Sequence, residues 1–207
     1  MTTWKIPEPP QYLEPQESRR MIDSVLALSI HPERDYLLLE TLWQSAGRIS
    51  EVLSLTPERI GDTSLILPNL KQKKDAVKET IVSKRLCDQL KEFCQKHEIP
   101  NQGWVFFGNR KSWKKLDTVY VWRLVTKISA ALGIRKLKKA EAKFKPASCH
   151  HFRHGSAMAI LEQTGSTELV QRQLGHSSIM TTQVYAILKG ATARKQLSQI
   201  DWSGKGE

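Results

Sequence analysis

CHHFRHGSAMAILEQTGSTELVQRQLGHSSIMTTQVYAIL, residues Cys149–Leu188, is the stretch on which the fold turns. Its apolar residues recur at helical spacing, which predicts helices over about His150–Gln163, Ser166–Leu174 and Ser178–Ile187, with a break at Gly175. His150 and Arg153 stand three apart at the start of the first helix and so share a face. Further on, LGHSS opens a run of hydroxyl residues, and Tyr185 follows His176 by nine positions. A tyrosine there is either packed core or a chemical group, and its neighbours have to decide which.

Toward the N-terminus the same helical period recurs. Pro15 to about Ile30 carries Met21, Val25 and Leu28 on one side, and a helix from Glu33 carries Tyr36, Leu39, Leu42 and Trp43. A short helix with Ile49, Val52, Leu53 and Leu55 follows Gly47. The period then changes: Thr63–Leu70 and Val77–Val82 are rich in β-branched and apolar residues on either side of KQKKDA, which predicts a hairpin. Trp104–Phe107 reads as a third short strand, and Ser83–His97 and Asp117–Leu132 as helices. Arg135–Lys145 breaks every apolar period and reads as a flexible basic loop, and Ala191–Ile200 as a last amphipathic helix. No repeat or linker divides the chain. The expectation is one domain, mainly α with a small antiparallel β-sheet (α+β).

Composition agrees with a folded globular chain, at 40% hydrophobic and 26% charged residues in 207. No run of about 18 apolar residues is present, so no membrane helix is expected, and MTTWKIPEPPQYLEP lacks the apolar centre of a secretory signal. Three cysteines, Cys87, Cys94 and Cys149, make no even disulfide set and favour a reducing compartment. The net charge of +11 is concentrated: twelve basic residues between Arg110 and Lys145 face only Asp117 and Glu141. Such a concentration repels itself unless a polyanion relieves it, which points to nucleic acid over a merely solvated lysine face. A membrane surface fits less well, because the segment has no anchor.

Three separated stretches carry candidate chemistry. In SAGRISEVLSL, Arg48 stands at a helix junction, where holding Glu51 would need no substrate. In HHFRH, the pair His150 and Arg153 is weak evidence alone, as is His176 with Tyr185. In this order and spacing, Gly-Arg-Ile-Ser-Glu, His-x-x-Arg-His and Leu-Gly-His-Ser-Ser with a tyrosine nine residues on resemble the catalytic domain of the tyrosine recombinases, the phage integrase family. YLEPQESRRMI resembles that domain's first helix and LTPERI its lead into the sheet, so the likeness runs from about Tyr12 to Ile200.

The resemblance implies the tyrosine recombinase catalytic-domain fold and a site-specific DNA recombinase that breaks and rejoins DNA. Tyr185 would attack a phosphodiester to give a 3′-phosphotyrosine, with Arg48 and Arg153 on the non-bridging oxygens. His150 would move the tyrosine's proton and His176 would hydrogen-bond the phosphate. The family's hairpin lysine acts as general acid. In LILPNLKQKKDAVKETIV, counting from the first strand favours Lys71 and counting back from Thr80 favours Lys73, so Lys71 is the first choice and Lys73 the second. No cofactor or metal is implied. Double-stranded DNA is the partner, gripped by Arg110, Lys111, Lys114, Lys115, Lys136, Lys138, Lys139, Lys143 and Lys145. The tail AILKGATARKQLSQI resembles one that packs on a neighbouring protomer, so a homo-oligomer, four protomers in synapsis, is expected, in a bacterial cytoplasm at the nucleoid.

Two rival readings use the same residues. His150 and His154, four apart beside Cys149 and His151, could bind zinc, yet no glutamate separates them as a metalloprotease requires, and Arg48 and Tyr185 would go unexplained. A recombinase-like module that binds DNA without cutting is the alternative, with Ser166–Tyr185 read as a helix-turn-helix. His151 and His154 read as packing or hydrogen-bonding residues and Phe152 as core. The chain also departs from the family. Residues 1–11 precede the catalytic match at 12–200, and 201–207 follow it, so the usual N-terminal core-binding domain is expected to be absent, in a fragment or a short single-domain member. Gly47 stands where the family has an apolar residue preceded by glycine, which is expected to shift Arg48 or loosen its helix.

Overall fold

The computed structural model describes residues 11–69, 76–109, 113–138 and 143–175. Its helices are α1 (Pro15–Leu28), α2 (Pro32–Ser45), α3 (Ile49–Val52), α4 (Lys84–Lys96), α5 (Thr118–Ala131), α6 (Cys149–Thr164) and α7 (Thr167–Leu174). Its strands form three antiparallel pairs: β1 (Ser64–Pro68) with β2 (Val77–Ile81), β3 (Phe107–Asn109) with β4 (Lys114–Lys115), and β5 (Arg135–Lys138) with β6 (Lys143–Pro146). The fold is mainly α with small antiparallel sheets. None of the described helices is long and apolar enough to cross a membrane.

Local chemistry sets the helix ends. Pro15 opens α1, where the Glu17 carboxylate turns back to the Glu14 amide at 2.9 Å. Ser83 and Asp117 cap α4 and α5 by accepting from Leu86 and Val119. Helix α2 lies at the centre, packed on α1, α4 and α6, and buries Leu37, Leu38, Leu39 and Leu42. These join Met21, Ile22, Leu53, Leu65, Leu67, Phe106 and Phe152 in the main core. Each such side chain stabilises by about 1.5–3 kcal/mol through burial. A smaller cluster of Ala46, Ala157, Met158, Leu161, Val170 and Leu174 seats α7 on α6. At the other end of α2, buried Asp35 accepts from Ser29 and Tyr120 and pairs with Arg34, whose guanidinium donates to the Phe107 carbonyl.

Two segments differ from the sequence reading. Arg135–Lys145 is not wholly a loop: β5 and β6 form a hairpin with Leu137 opposite Phe144 and Lys136 opposite Lys145. Lysines alternate there with single apolar residues, a strand period too sparse in apolar residues to stand out. Trp104–Phe107 is not a third strand of the first sheet. The Val105 amide donates to the Leu55 carbonyl at 3.0 Å and the Phe106 carbonyl accepts from the Leu116 amide at 2.9 Å, while the strand itself begins at Phe107 and pairs with β4. The predicted helices at 178–187 and 191–200 lie outside the described residues.

The segment before α1 crosses α6 closely. Leu13 donates its amide to the His151 carbonyl at 3.2 Å, and a Cβ on Gly155 would sit 2.2 Å from the Leu13 carbonyl oxygen and 3.0 Å from the Trp43 ring. In an exposed helix Ala outranks Gly by about 0.5–1 kcal/mol. Here steric overlap reverses the sign: Gly155→Ala is expected to destabilise by about 1–3 kcal/mol. Urea unfolding checks this, since an unchanged or higher midpoint would contradict the close crossing.

Candidate active site

The site begins at the end of α2. Ser45 turns its hydroxyl back to the Thr41 carbonyl and accepts from the Gly47 amide, closing the helix. Ala46 then takes a left-handed conformation, φ 48°, at a cost of about 1 kcal/mol for a residue with a Cβ. Gly47 fills the next position because a Cβ there would lie 2.7 Å from Val52 and 2.9 Å from Ser45. The Ala-Gly order therefore puts the strain on Ala46 and the close contact on Gly47. Arg48 is held rather than loosened: it is the N-cap of α3, with its amide 2.9 Å from Glu51 Oε2 and its Nη1 2.6 Å from Oε1.

Glu51 is fully buried, and it holds a second cation. Lys78 Nζ lies 2.9 Å from Glu51 Oε2 and 3.3 Å from the Leu174 carbonyl oxygen. That carbonyl also accepts from Arg153 Nη2 at 3.0 Å, while Arg153 Nη1 donates to the Ala46 carbonyl at 2.5 Å. The Ala46 turn, α3, β2, α6 and the C-terminus of α7 are thus linked through the Glu51 carboxylate and the Leu174 carbonyl, with Arg48, Arg153 and Lys78 as the cations. Asn69 completes the edge by donating to the Gly175 carbonyl at 3.1 Å. Gly175 is left-handed, φ 64°, and a Cβ on it would meet Lys78 Cδ at 2.5 Å, so the hairpin closes directly on the end of α7. Gln173 fastens the same helix to β2 by pairing with both the amide and the carbonyl of Ile81.

Charge states follow from this packing. Burial acts to raise the Glu51 carboxyl, but Lys78 and the Arg48 amide and guanidinium outweigh it and hold it below the ordinary carboxylate range. Burial, with both guanidinium groups adding repulsion, pushes the Lys78 ammonium down to about 8 against the pull of Glu51. Three cations against one carboxylate leave a local excess of positive charge, suited to an anion.

Helix α6 brings the histidines. Ser148 caps it, and its amide donates to His151 Nδ1 at 2.8 Å. His150 is exposed in the first turn, where the helix end is positive, while Arg153 one turn later is buried. His151 is lowered by burial and by Lys136, and His154 is pushed down to about 4 by burial first and then by His150 and the Arg153 guanidinium, so both are neutral at neutral pH. Phe152 is core. Among the described residues no group of three or more His, Cys, Asp or Glu side chains is placed to hold a metal ion.

Of the residues singled out in the sequence, Arg48, His150 and Arg153 lie at this site. Lys71, Lys73, His176 and Tyr185 lie outside the described residues, as do Arg110, Lys111 and Lys139. The chain leaves the cluster at Gly175, immediately before His176, and the hairpin leaves it at Asn69, two residues before Lys71. Of the basic list, Lys114 and Lys115 are exposed on β4, with Lys115 donating to Ser54 just beyond α3. Lys136 is ion-paired with Glu17 at 2.5 Å. Lys145 is exposed on β6, whose end leads through Ser148 into α6.

Sequence reading missed Lys78 and Asn69. In VKETI the apolar residues point outward, with Val77 55% and Ile81 51% exposed, while Lys78 and Thr80 are buried. The alternation itself was the available signal, since Lys78 pairs opposite buried Leu67 and Thr80 opposite buried Leu65.

Comparison with known proteins places this geometry. Residues 11–190 match the Phage integrase family, and the chain belongs to that family. It is 29% identical over 187 residues to Tyrosine recombinase XerD of Chlorobaculum tepidum, covering 85% of this chain and 57% of the relative. It is 29% identical over 181 residues to Tyrosine recombinase XerC of Pseudomonas aeruginosa, covering 86% and 55%. The chain thus spans a little over half the length of these curated relatives. The fold is shared with the XerH site-specific recombinase bound to difH, at TM-score 0.70 and 22% identity over 89% of this chain and 53% of that one. It is also shared with a lambda integrase dimer bound to a COC′ core site, at TM-score 0.65 and 16% identity over 87% and 49%. The fold is that of the tyrosine recombinase catalytic domain.

The Glu51 pairing has a pH consequence. Its folded-state value lies below the unfolded one, so its contribution to stability is present above the ordinary carboxylate range and is lost as pH falls through the folded value. Glu51→Gln is expected to cost about 3 kcal/mol at pH 7 by leaving Lys78 and Arg48 without their counter-charge. It should also flatten the acid limb of stability against pH. Denaturant unfolding from pH 7 to 3 checks both, and an unaltered acid limb would contradict the pairing.

Proposed function

We propose that this chain is the catalytic part of a site-specific DNA recombinase that cuts and rejoins strands through a 3′-phosphotyrosine. The observation that carries the reading is the convergence of Arg48 and Arg153 around buried Glu51 and the Leu174 carbonyl, one residue before Gly175-His176. Two fixed guanidinium groups on supports that Lys78 joins suit a phosphodiester that gains charge as a fifth oxygen approaches phosphorus. Family membership supports the same reading.

Tyr185 supplies the nucleophile. Its oxygen bonds to phosphorus as the bond to the 5′-oxygen breaks, and His150, exposed at the positive end of α6, assists removal of the phenol proton. The departing 5′-oxygen takes a proton from a hairpin lysine, Lys71 first and Lys73 second. A 5′-hydroxyl from another strand then attacks phosphorus and releases Tyr185. The phosphodiester energy stays in the covalent link throughout, and His176 hydrogen-bonds the phosphate. Residues 12–200 form the catalytic domain, and the basic residues Arg110, Lys111, Lys114, Lys115, Lys138, Lys139, Lys143 and Lys145 contact phosphates of duplex DNA, while Lys136 stays with Glu17. Integration, excision, inversion and resolution share this chemistry and differ in the order of sites. Synapsis is by four protomers, in a bacterial cytoplasm at the nucleoid.

The chemistry is tested with nicked duplexes from a random-sequence library, recovering DNA that stays on the protein through detergent. Wild type should form a protease-sensitive adduct. Tyr185→Phe should bind DNA and form none, and Arg153→Ala should form it about 10²–10³-fold more slowly. An adduct on Tyr185→Phe would overturn the assignment, and binding without any wild-type adduct would leave a DNA-binding module instead. For the grip, replacing Lys138, Lys139 and Lys143 together by Gln should reduce the slope of log affinity against log salt by up to about 0.9 for each. An unchanged slope would return the hairpin to a solvated surface.

A further inference from the structure

We propose that Lys78 is a positioning residue of the phosphate site: its one ammonium joins the carboxylate that holds Arg48 to the carbonyl that holds Arg153. The proposal rests on the recombinase reading and adds to it a residue with neither of the roles given to Lys71 or Lys73. Each link is direct. Glu51 Oε2 is 2.9 Å from Lys78 Nζ, and Oε1 is 2.6 Å from Arg48 Nη1. The Leu174 carbonyl oxygen is 3.3 Å from Lys78 Nζ and 3.0 Å from Arg153 Nη2.

Lys78 is the element that makes these two holds into one. Without it, Arg48 and Arg153 are tied only on the side of the Ala46 turn, whose carbonyl Arg153 reaches two residues before Arg48, and the Glu51 and Leu174 ends of the two holds are not joined by these contacts. With it, the spacing of the two is set by a side chain on a paired strand, whose register opposite Leu67 is fixed by the sheet. Misplacement of a catalytic group by about 1 Å can cost about 10²-fold in rate. The aliphatic stem of the same side chain packs on Gly175, where a Cβ would meet Lys78 Cδ at 2.5 Å, so Lys78 also fixes the end of α7. Lys78 is only 5% exposed in its side chain, which makes it a support for the arginines and not a contact for DNA.

Among the described residues, the charged groups around Lys78 are few. Glu51 and Arg48 face it from α3, Arg153 from α6, and Glu168 and Arg172 line the same groove from α7. Burial pushes Lys78 down to about 8, so above that pH the ammonium is lost and with it the link. An arginine at 78 would stay charged throughout.

The test uses the full chain and a duplex recovered from the library above. Adduct formation is followed in single turnovers at subsaturating DNA, where the pH profile reports the free protein. Wild type should slow as pH rises above about 8. Lys78→Met should be slower by about tenfold or more at every pH, with DNA affinity changed less than about twofold. Lys78→Arg should restore most of the rate and lose the alkaline decline. A Lys78→Met rate equal to wild type overturns the proposal, and so does an alkaline decline that persists in Lys78→Arg. Because Lys78→Met can fail to fold, thermal melting is measured for each variant, and Lys78→Arg alone carries the test if Lys78→Met melts out.

A second readout separates this proposal from the recombinase reading. Inorganic phosphate, compared with chloride at equal ionic strength, should raise the melting temperature of wild type and Lys78→Arg more than that of Lys78→Met. If no DNA yields an adduct but this difference appears, the recombinase reading falls and the positioning role stands. If wild type shows neither adduct nor phosphate shift, the positioning role is overturned as well.

Discussion

One buried carboxylate organises this half of the molecule. Glu51 has no solvent exposure, and leaving it ionised there would be costly unless its oxygens were satisfied. Both are: the Arg48 amide and the Lys78 ammonium meet Oε2, and the Arg48 guanidinium meets Oε1. Those partners come from the N-cap of a four-residue helix and from the second residue of a strand. The ion pair ties them together, and the strand in turn is tied to α7 through Gln173 and to the Leu174 carbonyl through Lys78, while Asn69, just after β1, reaches the Gly175 carbonyl. The arrangement spends helix α7's unsatisfied C-terminal carbonyls on the cations and the amide that the site requires.

The backbone is strained where the cations meet. Ala46 occupies the left-handed conformation that a glycine would take without cost, and its carbonyl accepts from Arg153. Gly47 beside it has no room for a Cβ against Val52 and Ser45. Exchanging the two residues would relieve one position and crowd the other, so the local sequence departs from the family's habit without displacing Arg48 from its cap.

Much of this was legible in the chain itself. Helices α1, α2, α4, α5, α6 and α7 carry apolar stripes at the helical period, and their ends coincide with proline, serine, aspartate or glycine. Arg48, His150 and Arg153 were legible because the spacing of three motifs is more specific than any one of them. What could not be read were the partners made by folding. Lys78 looks like a solvated lysine between a basic turn and an apolar strand, and only the register of β2 against β1 turns it inward. The strand's inner face is polar because it looks onto a charged site, the reverse of the usual apolar-in pattern. The β5–β6 hairpin was hidden for a related reason: lysines alternating with single apolar residues resemble an unstructured basic run.

The central claim is that Arg48, held by Glu51, and Arg153, joined to that carboxylate through Lys78 and the Leu174 carbonyl, hold one phosphate. Crystals of the chain soaked in tungstate, a phosphate mimic of strong anomalous scattering, test it most directly. In wild type the ion should lie within hydrogen-bonding distance of both the Arg48 and Arg153 guanidinium groups, and Glu51→Gln crystals soaked identically should show it weakly or not at all. An ion bound away from either arginine, or bound equally well in Glu51→Gln, would contradict the account.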